Sequence, residues 1–286
     1  MIKTLRKLLI FTIFSTSFVG CVKTYDINFT TENRLGGEWE VNSKANITET
    51  YKPSLFRTIN INLDTDITFT QKDLRKSLDE KPVAEFIIKE LSYQKDDEEV
   101  NLSHLIGKKI IGRNLGSAKY EFTCDEKVLE YHEYHLISET GALTENDVNY
   151  LMQFNRRSVK IGDKWNVNPQ VAIDSFKRFG ITAKAENLAM NCQLLDVQKN
   201  KEKELQYVIG YQGTSSDMYL ENDYSTGATN FEVDEAEITA SDKPDSKYFE
   251  SKGKYKWKTL FKYKENGKSA YLERAIDHSI SVKTLK

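Results

Sequence analysis

Proline is scarce, with four in 286 residues, and no proline-, glycine- or serine-rich stretch marks a linker by composition. Cysteine is scarcer still. There are three, with no Cys-x-x-Cys, so a zinc ribbon or a dithiol redox site has no ligands here. Charge of one sign is also lacking. Forty-one basic against 43 acidic residues give a formal net charge of −2, which excludes a strongly basic nucleic-acid binder. Only one apolar run is long, and it lies at the N-terminal end, so the pattern is not that of a polytopic helical membrane protein. Aromatics are the abundant class. Fourteen Phe, 15 Tyr and 3 Trp are too much apolar surface to leave in water, and they imply a folded core.

Lys3, Arg6 and Lys7 precede the apolar run from Leu8 to Phe14, which Ser15 to Val19 extend. That run is short for a stable span and suits the apolar region of a signal peptide. It ends Ser17-Phe18-Val19-Gly20-Cys21. These residues resemble the signal of bacterial lipoproteins, with Phe18 standing where Leu is usual. The resemblance implies cleavage before Cys21, diacylglycerol on its sulfur and stable anchoring by two or three acyl chains. Val22, rather than Asp, follows the cysteine. The resemblance then implies an extracytoplasmic, lipid-anchored protein of the cell envelope, at the outer membrane where the host has one. Cleavage also removes three positive charges, and a mildly acidic exterior does not favour anionic headgroups by charge alone.

Cys124 and Cys192 remain. In an oxidising compartment they are the candidate disulfide pair, with two separately buried thiols as the alternative.

Most of the chain alternates with a period of two, the signature of half-buried strands. Ile59, Ile61 and Leu63, then Ile67 and Phe69, read as period-2, half-buried strand, with Asp64-Thr65 as a candidate turn within it. Lys108 to Ile111 and Lys119 to Cys124 read likewise. Leu188 to Val197 and Leu205 to Tyr211 flank a charged turn and form a hairpin candidate. The strongest hairpin joins Tyr255, Trp257, Thr259, Phe261 and Tyr263 to Ala270 and Leu272 through Asn266-Gly267. Helices are fewer. Asn168 caps one that starts at Pro169 and ends before Gly180, and Thr144 with Asp147 opens another through Met152 or Phe154. Asp73 to Asp79 and Val83 to Leu91 are ambiguous. The fold class expected is mainly β or α+β, with antiparallel curved sheets and a few short helices.

Leu35-Gly36-Gly37-Glu38-Trp39-Glu40-Val41-Asn42 echoes Ile161-Gly162-Asp163-Lys164-Trp165-Asn166-Val167-Asn168. Two similar halves are one reading of that echo. Convergent use of Gly before a buried Trp strand is the other. The organisation expected is a signal peptide at 1–20, an anchor at 21–26, and β-rich halves at 27–158 and 159–286. The stretch Ser158-Val159-Lys160-Ile161-Gly162-Asp163-Lys164-Trp165 also resembles an element of an uncharacterised bacterial envelope lipoprotein family, which brings no activity with it.

Catalytic signatures are missing. Tyr131-His132-Glu133-Tyr134-His135 spaces its His three apart, where a zincin helix needs four, and reads as an aromatic-rich strand with surface His. No nucleophile elbow, calcium loop or phosphate loop occurs. Acidic runs such as Asp96-Asp97-Glu98-Glu99 read as solvated turns. Lys254-Tyr255-Lys256-Trp257-Lys258 reads as lysines on one strand face and aromatics on the other, with edge lysines discouraging aggregation. No cofactor, metal or nucleic acid is expected. The expected protein is a non-enzymatic envelope lipoprotein that binds an apolar ligand or a protein partner. An apolar cavity of more than about 300 Å3 marks the carrier. A structural or assembly subunit is the alternative, marked by an apolar patch or an unpaired sheet edge. A hydrolase ranks last and needs His132 or His278 beside a carboxylate and a hydroxyl.

Overall fold

The computed structural model describes residues 23–29, 36–53, 57–77, 80–81, 83–116, 119–138, 153–178, 181–221, 226–243, 246, 248–265 and 268–285. The signal segment, Cys21 and the helix expected at Thr144 lie outside them, apart from Gln153 and Phe154, which are buried in a turn.

The strands are β1 (Tyr25–Ile27), β2 (Glu38–Lys52), β3 (Ile59–Asp73), β4 (Val83–Lys95), β5 (Glu98–Glu99), β6 (Lys109–Gly116), β7 (Lys119–Cys124) and β8 (Lys127–Val128). Helix α1 (Tyr131–Ser138) follows, then β9 (Arg156–Val159), β10 (Lys164–Asn166), α2 (Pro169–Arg178) and β11 (Ile181–Thr182). Five long strands close the chain: β12 (Leu188–Lys199), β13 (Leu205–Glu221), β14 (Thr226–Ser241), β15 (Phe249–Glu265) and β16 (Lys268–Thr284). The mainly β class with antiparallel curved sheets and few short helices is the observed one.

Fourteen strands form one open sheet, ordered β10-β12-β13-β14-β15-β16-β2-β3-β4-β6-β7-β8, with β11 on β13 and β5 on β4. β1 and β9 make a separate two-stranded ribbon. Alternation sorts the sheet into two faces, because successive side chains of a strand point to opposite sides. Trp39, Val41, Ser43, Ala45 and Ile47 of β2 are buried, and their partners on β3 include Phe69, Ile67, Thr65 and Leu63. Each fully buried Ile, such as Ile47 or Ile67, contributes about 2 kcal/mol by leaving water. The residues between them, such as Lys44 and Asp66, are exposed and paired at 2.5 Å.

The expected turn at Asp64-Thr65 is not there; β3 runs straight through it. Asp64 lies on the polar face, where Asn46 Nδ2 donates to its Oδ1 at 2.5 Å, and Thr65 Oγ1 donates to the Ala45 carbonyl at 3.4 Å. The ambiguous Val83 to Leu91 is strand, because Ala84, Phe86 and Ile88 face the core. The acidic turn expected at Asp96-Asp97 is there, with φ of 53° and 65°, which Asp tolerates better than most residues, whereas Asp234-Glu235, also read as an acidic turn, lies within β14 at a register shift opposite β15. The β12–β13 hairpin and the capped α2 are as expected. Gln170 N donates to Asn168 Oδ1 at 3.0 Å. In the last hairpin Glu265 pairs with Lys268, so the strands meet across residues 266 and 267.

The halves drawn at 27–158 and 159–286 join along β16 and β2, in a register unbroken from Tyr271↔Lys52 to Thr284↔Trp39. One main core takes residues from both. The echoed segments do share a local form. Gly36 and Gly162 have φ of +72° and +94°, which favour glycine, and Trp39 and Trp165 are both buried. The carbonyls of Gly37 and Asp163 accept from Asp73 N and Leu194 N at 3.0 and 3.1 Å. Their surroundings differ. β2 is a 15-residue central strand, and β10 is a three-residue strand at the sheet edge followed by α2.

Candidate functional site

The apolar face of the sheet has two ends of different character. At the near end, Tyr207, Ala240, Phe249 and Trp39 are buried, and Ile27 and Phe29 of the N-terminal ribbon are buried with them. Phe29 meets the Tyr207 ring edge-on at 6.4 Å. Burial and the neighbouring Asp242 raise the Tyr207 hydroxyl above its ordinary pKa. Helix α1 covers β4 and β7, placing Tyr134 5.5 Å from Phe122. Phe154 lies 4.9 Å from Tyr211.

The far end is a half-buried aromatic shelf. Phe231 of β14, Trp257 and Phe261 of β15, and Leu272 and Ile276 of β16 keep part of their surface accessible. Pairing aligns them on one face: Phe231↔Trp257, Trp257↔Ile276 and Phe261↔Leu272. Phe231 and Trp257 lie 5.2 Å apart, and Trp257 and Tyr255 stack at 5.7 Å. Ile173 of α2, Ala183 and Met218 form a small second cluster that bounds the shelf at Phe231. In the middle of this apolar floor, Arg274 Nε stands 3.1 Å from Glu49 Oε1, with side-chain exposures of 20% and 13%. A half-buried ion pair among aromatics gives the shelf a polar point that a purely structural core would not need.

Between the two ends runs a band of buried polar groups. Tyr211 and Tyr255 join hydroxyl to hydroxyl at 2.6 Å. Gly253 permits this, since a Cβ there would lie 2.6 Å from the Tyr255 hydroxyl. Within the shelf itself, between Trp257 and Phe261, Thr259 joins Thr229 at 3.0 Å. Ser43 Oγ and His278 Nε2 are 2.8 Å apart. That is the hydroxyl–imidazole pair a hydrolase needs, but Ser43 is 0% and His278 6% exposed, so no substrate reaches the serine. The other expected histidine goes elsewhere. His132 Nδ1 lies 3.4 Å from the Tyr93 hydroxyl.

The Tyr131 to His135 segment is helix α1, not the expected strand. Glu133 decides this locally by folding back so that its Oε2 accepts from Glu130 N at 2.7 Å, while Oε1 meets His104 Nε2 at 2.6 Å. Among the described residues no three His, Cys, Asp or Glu side chains gather as a metal site. Cys124 and Cys192 are free thiols on β7 and β12, toward opposite ends of the strand order, so the candidate disulfide does not form. Burial pushes the Cys192 thiol up to about 12, which leaves it protonated and inert.

The opposite face is polar. It carries a trough of about 640 Å3 that includes Asn42, Gln193, Gln212, Glu237, Lys252 and Ser281, and a neighbouring depression of about 460 Å3. Neither is the apolar cavity expected of a carrier. The Lys254–Lys258 lysines lie on this face, where Lys256 meets Asp234 at 2.5 Å and Lys258 meets Glu273 at 2.6 Å. They are not edge lysines, because β15 is paired on both sides. The shelf itself was not legible as a site, since Tyr255, Trp257 and Phe261 alternate as any core strand does.

No family model and no curated protein matches the chain. Among solved structures it is similar to an outer membrane channel from Pseudomonas putida F1, at 8% identity and a TM-score of 0.22, covering 88% of this chain and 97% of that one. It is also similar to a LolA superfamily protein from Nitrosomonas europaea, at 9% identity and a TM-score of 0.19, covering 91% of this chain and 89% of that one.

Proposed function

We propose that this chain is a lipid-anchored protein of the cell envelope that binds an amphipathic, lipid-like molecule without transforming it. The expected mark of a carrier, an enclosed apolar cavity, is not what the two depressions provide, and the observation that carries the reading is instead an open surface, the far-end shelf. Five large apolar side chains lie half-buried on one face, around the Arg274–Glu49 pair. An apolar body on the aromatics and a polar group at the ion pair is the ligand chemistry such a floor suits. The anchor rests on the Val19-Gly20-Cys21 signal. Non-enzymatic binding is favoured because the Ser43–His278 pair, the serine–imidazole contact among the described residues, is buried.

The rival reading is an assembly subunit that adds a strand from a partner. It draws on the short β10, which pairs only Asn191, Cys192 and Gln193 of β12. The rest of that edge is blunted, because Val197 N donates to Asp196 Oδ1 at 2.8 Å instead of offering itself to a new strand.

The test is native mass spectrometry of the chain from residue 22 onward, made in the periplasm, with solvent extraction of what it carries. A stoichiometric lipid is expected. Trp257→Ala combined with Phe231→Ala lowers its occupancy at least tenfold while the circular dichroism stays that of a β protein. An empty wild-type chain that also fails to take up added phospholipid overturns the reading.

A further inference from the structure

The N-terminal ribbon lies at the opposite end of the long strands from the shelf. β1 packs on Tyr207 through Tyr25, whose ring meets it edge-on at 6.3 Å, and Phe29 just beyond β1 does the same; Tyr207 pairs with Ala240, which pairs with Phe249. Phe249 is thus at the ribbon end of β15, and Phe261 of the shelf is twelve residues further along the same strand. At about 3.3 Å per residue the two are about 40 Å apart.

The chain between Cys21 and this ribbon is short. Tyr25, the first residue of β1, is four residues on, so even a fully extended link reaches no more than about 14 Å. Whatever holds Cys21 holds the ribbon close.

The ribbon's exposed surface is cationic. Lys23, Arg156, Arg157 and Lys160 are all exposed, and none has an ion-pair partner among the described residues. Lys23 Nζ sits 5.0 Å from the Tyr25 ring centroid, an aromatic–cation pair suited to an interface. The neighbouring acids aim oxygens at backbone N–H groups. Asp26 Oδ1 accepts from Ser158 N at 2.7 Å, and Asp163 Oδ2 from Lys160 N at 2.8 Å. The chain as a whole is slightly acidic, but residues 23–29 and 156–160 carry four basic side chains against one acid, Asp26.

We infer that the β1–β9 ribbon is the membrane-contacting surface of the anchored protein, seated on anionic lipid headgroups through Lys23, Arg156, Arg157 and Lys160, so that the sheet stands on end and the shelf opens about 40 Å from that membrane. The inference rests on the anchoring reading and deepens it. A shelf so placed exchanges its ligand with a donor or acceptor beyond its own bilayer.

The test is hydrogen exchange on the full, acylated chain in phosphatidylethanolamine–phosphatidylglycerol vesicles, compared with the same chain in neutral detergent. Amides of 24–29 and 156–160 exchange about tenfold more slowly on the vesicles, and those of 257–263 and 270–276 do not change. Arg156→Glu with Arg157→Glu removes the slowing and leaves the shelf strands unaltered. Slowing at the shelf strands instead, or slowing at the ribbon that survives the charge reversal, overturns the inference while leaving the anchor intact. An intact mass without the diacylglyceryl group on Cys21 overturns the anchoring reading, and the orientation with it.

Discussion

Glu204 shows how a single residue ties distant parts of the chain together. It sits in the β12–β13 turn, where its carboxylate accepts from Lys243 Nζ at 2.9 Å, Asn200 Nδ2 at 3.0 Å and Ser246 Oγ at 3.2 Å. The Lys243 hydrogen bond, foremost, holds its pKa below the usual carboxylate range. A pKa lowered by folding means stability that is present above the unfolded value, about 4.3, and lost as pH falls through the folded one. The carboxyl carbon of Glu204 is expected to titrate in NMR with a midpoint below that of an ordinary glutamate. In Lys243→Ala the midpoint moves up toward the ordinary value. An unchanged midpoint would show that the lysine is not the cause. The acidic and basic residues were visible in the sequence here, but the Lys243 partnership was not, because it spans 39 residues and depends on the β13–β14 pairing.

Elements were legible in proportion to how local their causes are. Helix α2 follows from an Asn cap, a Pro in first position and an apolar stripe, all within a dozen residues. Asn168→Ala is expected to cost about 1 kcal/mol in urea unfolding, and Asn168→Asp close to nothing, since Asp caps equally well. Equal stability of all three chains would remove the cap as the cause of the helix start. Elements with non-local causes were misread. Helix α1 looked like a strand because Tyr131 to His135 is rich in aromatics, whereas the helix is held by Glu133 and by Phe122 beneath Tyr134. The turn expected at Asp64-Thr65 yielded to 14 paired positions between β2 and β3. Local turn preference at two residues is about 1 kcal/mol or less, and a full ladder outweighs it.

For the whole molecule, the β16–β2 seam is the decisive contact. It joins the end of the chain to its beginning through the middle of the sheet, and the main core crosses it. Residues 27–158 alone would expose the Ile47 edge of β2, and residues 159–286 alone the full edge of β16. Neither fragment is expected to give a cooperative thermal transition by itself, while the two co-expressed give one complex. An independently folded 27–158 fragment would show instead that the halves are separate domains. Joining the two chain ends also makes contact order high, so refolding is expected to be slow for a chain of this length.

The sequence by itself determined what is set by composition and by neighbours along the chain. It carried the antiparallel β class, the β12–β13 and β15–β16 hairpins, the cap of α2, the division of Lys254 to Lys258 between two faces, and the expectation of a lipid anchor at Cys21. Each is written in alternation, turn residues or a short contiguous signal. Only the tertiary structure decided that fourteen strands share one sheet, that Cys124 and Cys192 stand on separate strands as free thiols, that Ser43 meets His278 out of reach of solvent, and that the apolar face divides into a filled end and an accessible one. Period-2 alternation tells which residues share a face. Which stretch of that face is covered depends on residues far away in sequence, and no local pattern records it.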